Sequence, residues 1–119
     1  MKILLATARA NDLESFVSEL SLEKNDPLLA ESVQEVLDIV PKQKPSLIII
    51  DENLSGPETF KLIQNILSLD AMVNTAVLTD MDKKDFHEAG EGLGILMSLP
   101  LNPGKEDGRE LISNLKQVL

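Results

Sequence analysis

The 119-residue sequence contains no cysteine, no tryptophan, no tyrosine and one histidine, and it has 11 basic residues against 20 acidic ones. Without cysteine it forms no disulfide and offers no thiolate nucleophile, and His87 alone does not make a histidine-rich metal site. A net charge of −9 repels nucleic-acid phosphates, and three phenylalanines provide little surface on which bases stack. We therefore do not expect nucleic acid as a partner.

Long hydrophobic runs are also absent. The N-terminal apolar run is interrupted by Arg9 and Asn11 before a signal-peptide core forms, and no stretch approaches the roughly 20 apolar residues that cross a bilayer. A chain of this length lies in the usual range of a single domain. We expect one cytoplasmic domain over residues 1–119.

Short apolar runs recur along the chain and predict strands. They are Lys2–Ala8, Ser46–Ile50, Ala76–Leu78 and Ile95–Met97, with a weaker run at Pro27–Ala30. Apolar runs without alternating polar residues are typical of strands that are buried on both faces of a parallel sheet.

Apolar residues three and four positions apart predict helices between these runs. Asn11 is a predicted N-cap of the first helix, with Glu14 three residues later. The stripes are Leu13, Phe16, Val17 and Leu20; Val33, Val36, Leu37 and Val40, ended by Pro41 and then Pro45; Phe60, Ile63, Ile66 and Leu67; and Leu111, Ile112, Leu115 and Leu119. Residues 82–91 form the weakest helix. The alternation predicts an α/β fold, a doubly wound five-stranded parallel sheet with helices on both faces.

In such sheets, functional groups gather beyond the carboxyl ends of the strands. This rule selects Thr7 and Ala8 after the first strand, Asp51 after the third, Thr79 and Asp80 after the fourth, and Leu99 and Pro100 after the fifth.

Three segments at these positions resemble signatures of the response-regulator receiver domain. They are Ser-Leu-Ile-Ile-Ile-Asp51-Glu-Asn-Leu, Ala-Val-Leu-Thr79 and Met-Ser-Leu99-Pro100. The resemblance extends from Lys2 to the last helix. It implies the flavodoxin-like (βα)5 topology with strand order 2-1-3-4-5 and a non-enzymatic role in two-component signal transduction.

The resemblance assigns roles to three residues. Asp51 lies where the family has its phosphoacceptor aspartate, which takes a phosphoryl group from a histidine kinase. Asn53 lies where a backbone carbonyl helps to bind Mg²⁺, and Thr79 lies where a hydroxyl bonds the phosphoryl oxygen when the domain switches.

Other positions depart from the family pattern. Thr7 and Ala8 replace the acidic pair that holds Mg²⁺, Leu99 replaces a lysine, and Leu96 replaces an aromatic switch residue. Mg²⁺ needs carboxylate oxygens, and phosphoryl transfer needs cations, so these losses predict a degenerate pocket without a cofactor. We expect Arg9 to lie over Asp51 and to occupy the metal position, with Lys83 and Lys84 as further cations at the rim.

Three functions follow from this pattern. The first is a pseudo-receiver that binds protein partners or dimerises through the face made by helix four, strand five and helix five. Residues expected on that face are Phe86, Leu93, Leu96, Leu115, Lys105 and Arg109. The second is a working response regulator that is phosphorylated on Asp51 with Mg²⁺. The third is a flavodoxin-like redox carrier, which the glycine-free loop after strand one disfavours.

Simpler structural roles compete with these functional ones. An aspartate such as Asp51, taken alone, more often caps a helix, and an arginine such as Arg9, taken alone, is more often a solvated surface residue. The acidic residues between Asp80 and Glu91 are interpreted as a solvated helix face, and Gly90, Gly92 and Gly94 as turn glycines.

Overall fold

The computed structural model describes residues 1–22 and 26–119. The strands are β1 (Ile3–Ala6), β2 (Leu28–Ala30), β3 (Leu47–Asp51), β4 (Asn74–Leu78) and β5 (Met97–Leu99). The helices are α1 (Glu14–Ser21), α2 (Val33–Gln43), α3 (Thr59–Leu69), α4 (Lys83–Ala89) and α5 (Lys105–Val118). A 3-10 turn, Ala10–Leu13, leads into α1, and a helical turn, Glu52–Ser55, and a 3-10 turn, Gly56–Glu58, lead into α3.

The five strands form one sheet in the order β2-β1-β3-β4-β5, and all neighbouring strands are parallel. The register pairs Leu5 of β1 with Leu29 of β2 and Ile49 of β3. Asp51 pairs with Leu78, so the carboxyl ends of β3 and β4 lie side by side. The predicted fold class and strand order are confirmed.

The sheet separates two layers of apolar side chains. One layer contains Leu5 and Ile49 and packs against α1 and α5, and the other contains Leu4 and Ile48 and packs against α2, α3 and α4. Because successive strand residues point to opposite faces and both faces are covered, β1 and residues 47–50 of β3 are apolar at every position. Among the described residues, no helix is long and apolar enough to cross a membrane.

Two predicted helix ends are wrong. Asn11 does not cap α1: it lies inside the 3-10 turn, where the Asp12 amide donates to the Arg9 carbonyl, and Leu13 occupies the N-cap position. Pro41 does not end α2, which continues to Gln43 and ends before Pro45, the second proline of the prediction. Proline removes one amide donor but has a helical φ, and the Lys44 amide still donates to the Val40 carbonyl at 3.0 Å.

The last two elements also differ from the prediction. Strand β5 begins at Met97, two residues later than the apolar run. Gly94 turns the chain before it with a φ of 63°, and the Leu96 backbone amide donates to the Thr75 carbonyl of β4 at 2.8 Å. Leu119 lies beyond α5 and is 65% exposed, so the apolar stripe of this helix ends at the buried Leu115.

Candidate functional site

Asp51 is the last residue of β3, and its carboxylate is almost fully buried at the carboxyl edge of the sheet. The side chain caps the following helical turn, since the Asn53 amide donates to Oδ1 at 3.0 Å. Thr7 directly follows the neighbouring strand β1, and its hydroxyl donates to Asp51 Oδ2 at 2.7 Å. Asp51 therefore does cap a helical turn, as an ordinary loop carboxylate would. The cap involves Oδ1 alone, and Oδ2 binds other groups.

Arg9 supplies the remaining hydrogen bonds to Asp51. Its Nε lies 2.8 Å from Oδ2 and its Nη2 lies 3.1 Å from Oδ1, a two-pronged ion pair. The Arg9 side chain is 19% exposed and that of Asp51 is 1% exposed. The Thr7 hydroxyl also accepts from the Arg9 amide at 3.1 Å, which fixes the start of the loop that carries the guanidinium.

The outer side of the Arg9 guanidinium binds the loop between β5 and α5. Nη2 donates to the Leu101 carbonyl at 2.5 Å, and Nη1 donates to the Asn102 side-chain oxygen at 2.9 Å. Sequence reasoning missed both partners, because they lie more than 90 residues from Arg9 and carry no motif. Arg9 thus joins the loops that follow β1 and β5 to the end of β3.

Thr79, at the end of β4, does not contact Asp51 through its hydroxyl. Its Oγ1 donates to Glu52 Oε2 at 2.5 Å and accepts from the Met81 amide at 3.0 Å. Glu52 was not predicted as a site residue. The only signal was its position directly after Asp51, and a partly exposed glutamate at a helix start ordinarily faces solvent.

The other predicted pocket residues contribute no charge. Ala8 is exposed, and Leu99 is 3% exposed and packs in the layer under α1 and α5. Asn53 contacts Asp51 through its backbone amide. Within the described ranges, the side chains of Lys83 and Lys84 make no hydrogen bond or ion pair with Asp51.

The donor set does not fit a magnesium ion. Mg²⁺ requires oxygen ligands in near-octahedral geometry, usually with one or two carboxylates. Both oxygens of Asp51 already accept two hydrogen bonds each, and Arg9 places a positive charge against them. In the part of the chain that the structure describes, no three acidic or histidine residues are grouped to hold a metal. The carboxylate is arranged to bind a guanidinium.

The predicted partner face needs correction. Leu115 is fully buried and is not available to a partner. Phe86 is 7% exposed and packs against Phe60 with ring centroids 5.6 Å apart, so it offers a partner little surface. Arg109 is exposed but points to α1, where its Nε lies 3.8 Å from Glu19. Phe86 and Leu115, which the resemblance to receiver domains had assigned to the partner face, belong to the two apolar layers of the core.

An open groove nevertheless lies on β5 between α4 and α5. It consists of two cavities of about 550 and 390 Å³ that share four lining residues, Lys83, Met97, Ser98 and Glu110. We call it the β5 groove. Half-buried Ile95, Leu96 and Met97 line it, and Leu93 and exposed Lys105 are not among its lining residues.

No family model matches the chain, and no curated protein matches it. Solved structures do. A two-component response regulator from Clostridium difficile aligns with a TM-score of 0.81 at 15% identity, over 98% of this chain and 96% of that one. A CheY-like response regulator receiver domain protein from Methanospirillum hungatei aligns with a TM-score of 0.80 at 18% identity, over 98% and 94%.

A third match is a response regulator protein from Burkholderia pseudomallei, described with a phosphorylated aspartic acid, a calcium ion and citrate. It aligns with a TM-score of 0.75 at 16% identity, over 98% of this chain and 69% of that one. At these identities the likeness defines the fold. The chain has the fold of response-regulator receiver domains, and at its carboxyl edge an arginine is paired with the buried aspartate.

Proposed function

We propose that this chain acts as a pseudo-receiver, a protein-interaction module of signal transduction in which Mg²⁺-dependent phosphorylation of Asp51 is absent or impaired. The observation that supports this proposal is the two-pronged ion pair between Arg9 and Asp51, with N–O distances of 2.8 and 3.1 Å. We place the protein in the cytoplasm, with protein partners and without nucleic acid or membrane.

The chemistry of acyl phosphate formation explains why this pair matters. A carboxylate attacks phosphorus with a free lone pair, while a metal ion neutralises the charge on the transferred oxygens. Asp51 has its oxygens occupied by Arg9, Thr7 and the Asn53 amide. Opening the ion pair would leave a buried carboxylate without its counter-charge, which adds to the barrier.

The other groups that would stabilise the reaction are also missing or occupied. The Thr79 hydroxyl donates to Glu52, and Leu99 has no charge. One oxyanion-stabilising group is worth roughly 3 to 4 kcal/mol in other enzymes. The loss of two such groups slows phosphoryl transfer by orders of magnitude.

One observation favours the alternative function, a response regulator phosphorylated on Asp51 by a histidine kinase. Asp51 and Thr79 lie at the carboxyl ends of adjacent strands, and the Arg9 side chain is 19% exposed, so the guanidinium has an outward path. In this alternative, Arg9 moves away and Mg²⁺ enters with the phosphoryl donor.

Intact-mass measurement after incubation with acetyl phosphate and Mg²⁺ separates the two functions. We expect no mass gain for the wild-type chain. The alternative predicts the gain of one phosphoryl group, which disappears in Asp51→Asn. Arg9→Ala tests whether the guanidinium is the obstacle. Arg109→Ala is its matched control, because Arg109 forms the other ion pair of the described residues, between α5 and α1.

A partner assay tests the interaction role. If the module does not depend on phosphorylation, Asp51→Asn leaves partner binding unchanged, whether the partner is another protein, a histidine kinase or a second copy. A partner that bound wild-type chain only after acetyl phosphate treatment would contradict the proposal.

A further inference from the structure

The β5 groove combines an apolar floor with an acidic lining. Four carboxylates line its two cavities, against one ammonium group; they belong to Asp80, Glu91, Asp107 and Glu110, and the ammonium belongs to Lys83. In the ranges that the structure describes, the two ion pairs are Arg9–Asp51 and Arg109–Glu19, so no basic side chain within 4 Å neutralises these four carboxylates. The Asp107 carboxylate accepts a hydrogen bond from the Gly104 amide at 2.8 Å at the start of α5, and the exposed carboxylates of Asp80, Glu91 and Glu110 keep a negative field over an apolar surface.

Internal contacts hold the end of the groove that lies next to Asp51. Leu101 lines the groove, and its carbonyl accepts a hydrogen bond from Arg9. Thr79 and Met81 line it as well, and both are held by the hydrogen bonds that connect Glu52, the Thr79 hydroxyl and the Met81 amide. A surface that is already ordered loses less conformational entropy when it binds a partner.

We propose that the β5 groove binds a cationic amphipathic segment of a partner protein. This inference rests on the proposed function as an interaction module and names the chemistry of its partner. Apolar side chains of the segment lie on Leu96 and Met97, and lysine or arginine side chains lie along the carboxylates. Charge complementarity of this kind selects partners and speeds their association.

Other occupants fit less well. A nucleic acid carries the same sign of charge as the lining. A second copy of this chain brings a net charge of −9 to a groove that already has uncompensated carboxylates, which costs free energy through like-charge repulsion. An anionic segment would leave the lining carboxylates unpaired beside its own charges.

Titration of the isotope-labelled chain with two synthetic peptides tests the proposal by NMR. The probe is an amphipathic leucine–lysine peptide of about four helical turns, and the control peptide has glutamate in place of lysine. We expect saturable amide shifts confined to residues 79–83, 90–98 and 107–114 with the lysine peptide, and none with the glutamate peptide. Equal shifts with both peptides, or shifts elsewhere on the surface, would overturn the proposal.

Charge-matched variants separate groove binding from general attraction to an acidic protein. The double variant Glu91→Gln/Glu110→Gln removes two groove carboxylates, and Glu14→Gln/Glu31→Gln removes two exposed carboxylates outside the groove. We expect the first to weaken binding about threefold to tenfold and the second to change it less than about twofold. Equal weakening would show that only net charge acts.

The outcome is independent of the phosphorylation assay. Peptide binding with no phosphoryl gain supports both proposals. A phosphoryl gain with intact peptide binding overturns the proposed function and leaves the groove assignment. Loss of peptide binding without a phosphoryl gain overturns the groove assignment alone.

Discussion

Thr79 and Leu101 lie between two polar regions of the molecule, the β5 groove and the pocket formed by Asp51, Arg9 and Thr7. The two regions differ in how their carboxylates are partnered. In the pocket, the buried carboxylate has an arginine, a hydroxyl and an amide as partners, and in the described residues no buried side-chain polar atom is unsatisfied. In the groove, the carboxylates have no basic side chain within 4 Å among the residues that the structure describes. Charge that is satisfied internally holds structure together, whereas uncompensated charge at an apolar surface is available for recognition.

The largest expected effect comes from breaking the ion pair in the pocket. Arg9→Met removes the guanidinium and leaves Asp51 buried without its counter-charge, which lowers the free energy of unfolding by about 3 kcal/mol. Urea unfolding measures it. The control Arg109→Met breaks a pair at 3.8 Å in which arginine is 62% exposed, and it costs less than about 0.5 kcal/mol. Equal losses in the two variants would mean that Arg9 is an ordinary surface arginine.

Introducing aspartates beside Asp51 and removing Arg9 tests whether the side chains around Asp51 are what prevents Mg²⁺ binding. The triple variant Thr7→Asp/Ala8→Asp/Arg9→Ala provides three neighbouring carboxylates with Asp51, so Mg²⁺ binds the folded chain and stabilises it. At a concentration about ten times Kd, the gain in unfolding free energy is about 1.4 kcal/mol. Thermal unfolding with and without Mg²⁺ measures it. Wild-type chain that gained equal stability from Mg²⁺ would refute the guanidinium-filled pocket.

The Thr79 hydroxyl connects Glu52 to the Met81 amide, between the Asp51 site and the β5 groove. A substitution at Thr79 tests whether this hydroxyl holds the loop. Thr79→Val removes the hydroxyl that donates to Glu52 and accepts from Met81, and it lowers the unfolding free energy by about 1 kcal/mol. Faster hydrogen exchange of the Met81 amide reports the lost acceptor. Glu52→Gln keeps an acceptor for the hydroxyl and serves as the control, with a smaller loss and unchanged exchange at Met81. If Met81 exchanges at the same rate in all three proteins, the hydroxyl does not hold this loop.

The smallest effect on stability is expected in the groove itself. Glu91→Gln/Glu110→Gln changes the unfolding free energy by less than about 0.5 kcal/mol in either direction, because these exposed carboxylates form no ion pair with any residue in ranges 1–22 and 26–119. The same variant weakens binding of the cationic peptide. A stability loss as large as that of Arg9→Met would mean that the groove carboxylates have a structural role.

The sequence by itself determined the sheet and the corner of the molecule where its polar residues meet. Apolar runs buried on both faces identify strands, and parallel strands bring their carboxyl ends to one edge, which places Asp51, Thr7 and Thr79 together. The resemblance to receiver domains, which have an acidic pair at the positions of Thr7 and Ala8, indicated the ion pair of Arg9 with Asp51. These features are local in sequence or follow from the geometry of parallel sheets.

Only the tertiary structure decided which hydrogen bonds and ion pairs the polar side chains form. Arg9 reaches Leu101 and Asn102, Thr79 turns to Glu52, and Arg109 pairs across α1. Phe86 is buried because Phe60 covers it, and spacing along α4 does not show this. Hydrogen bonds and packing depend on distances between segments far apart in the chain, and helical or strand periodicity carries no information about those distances.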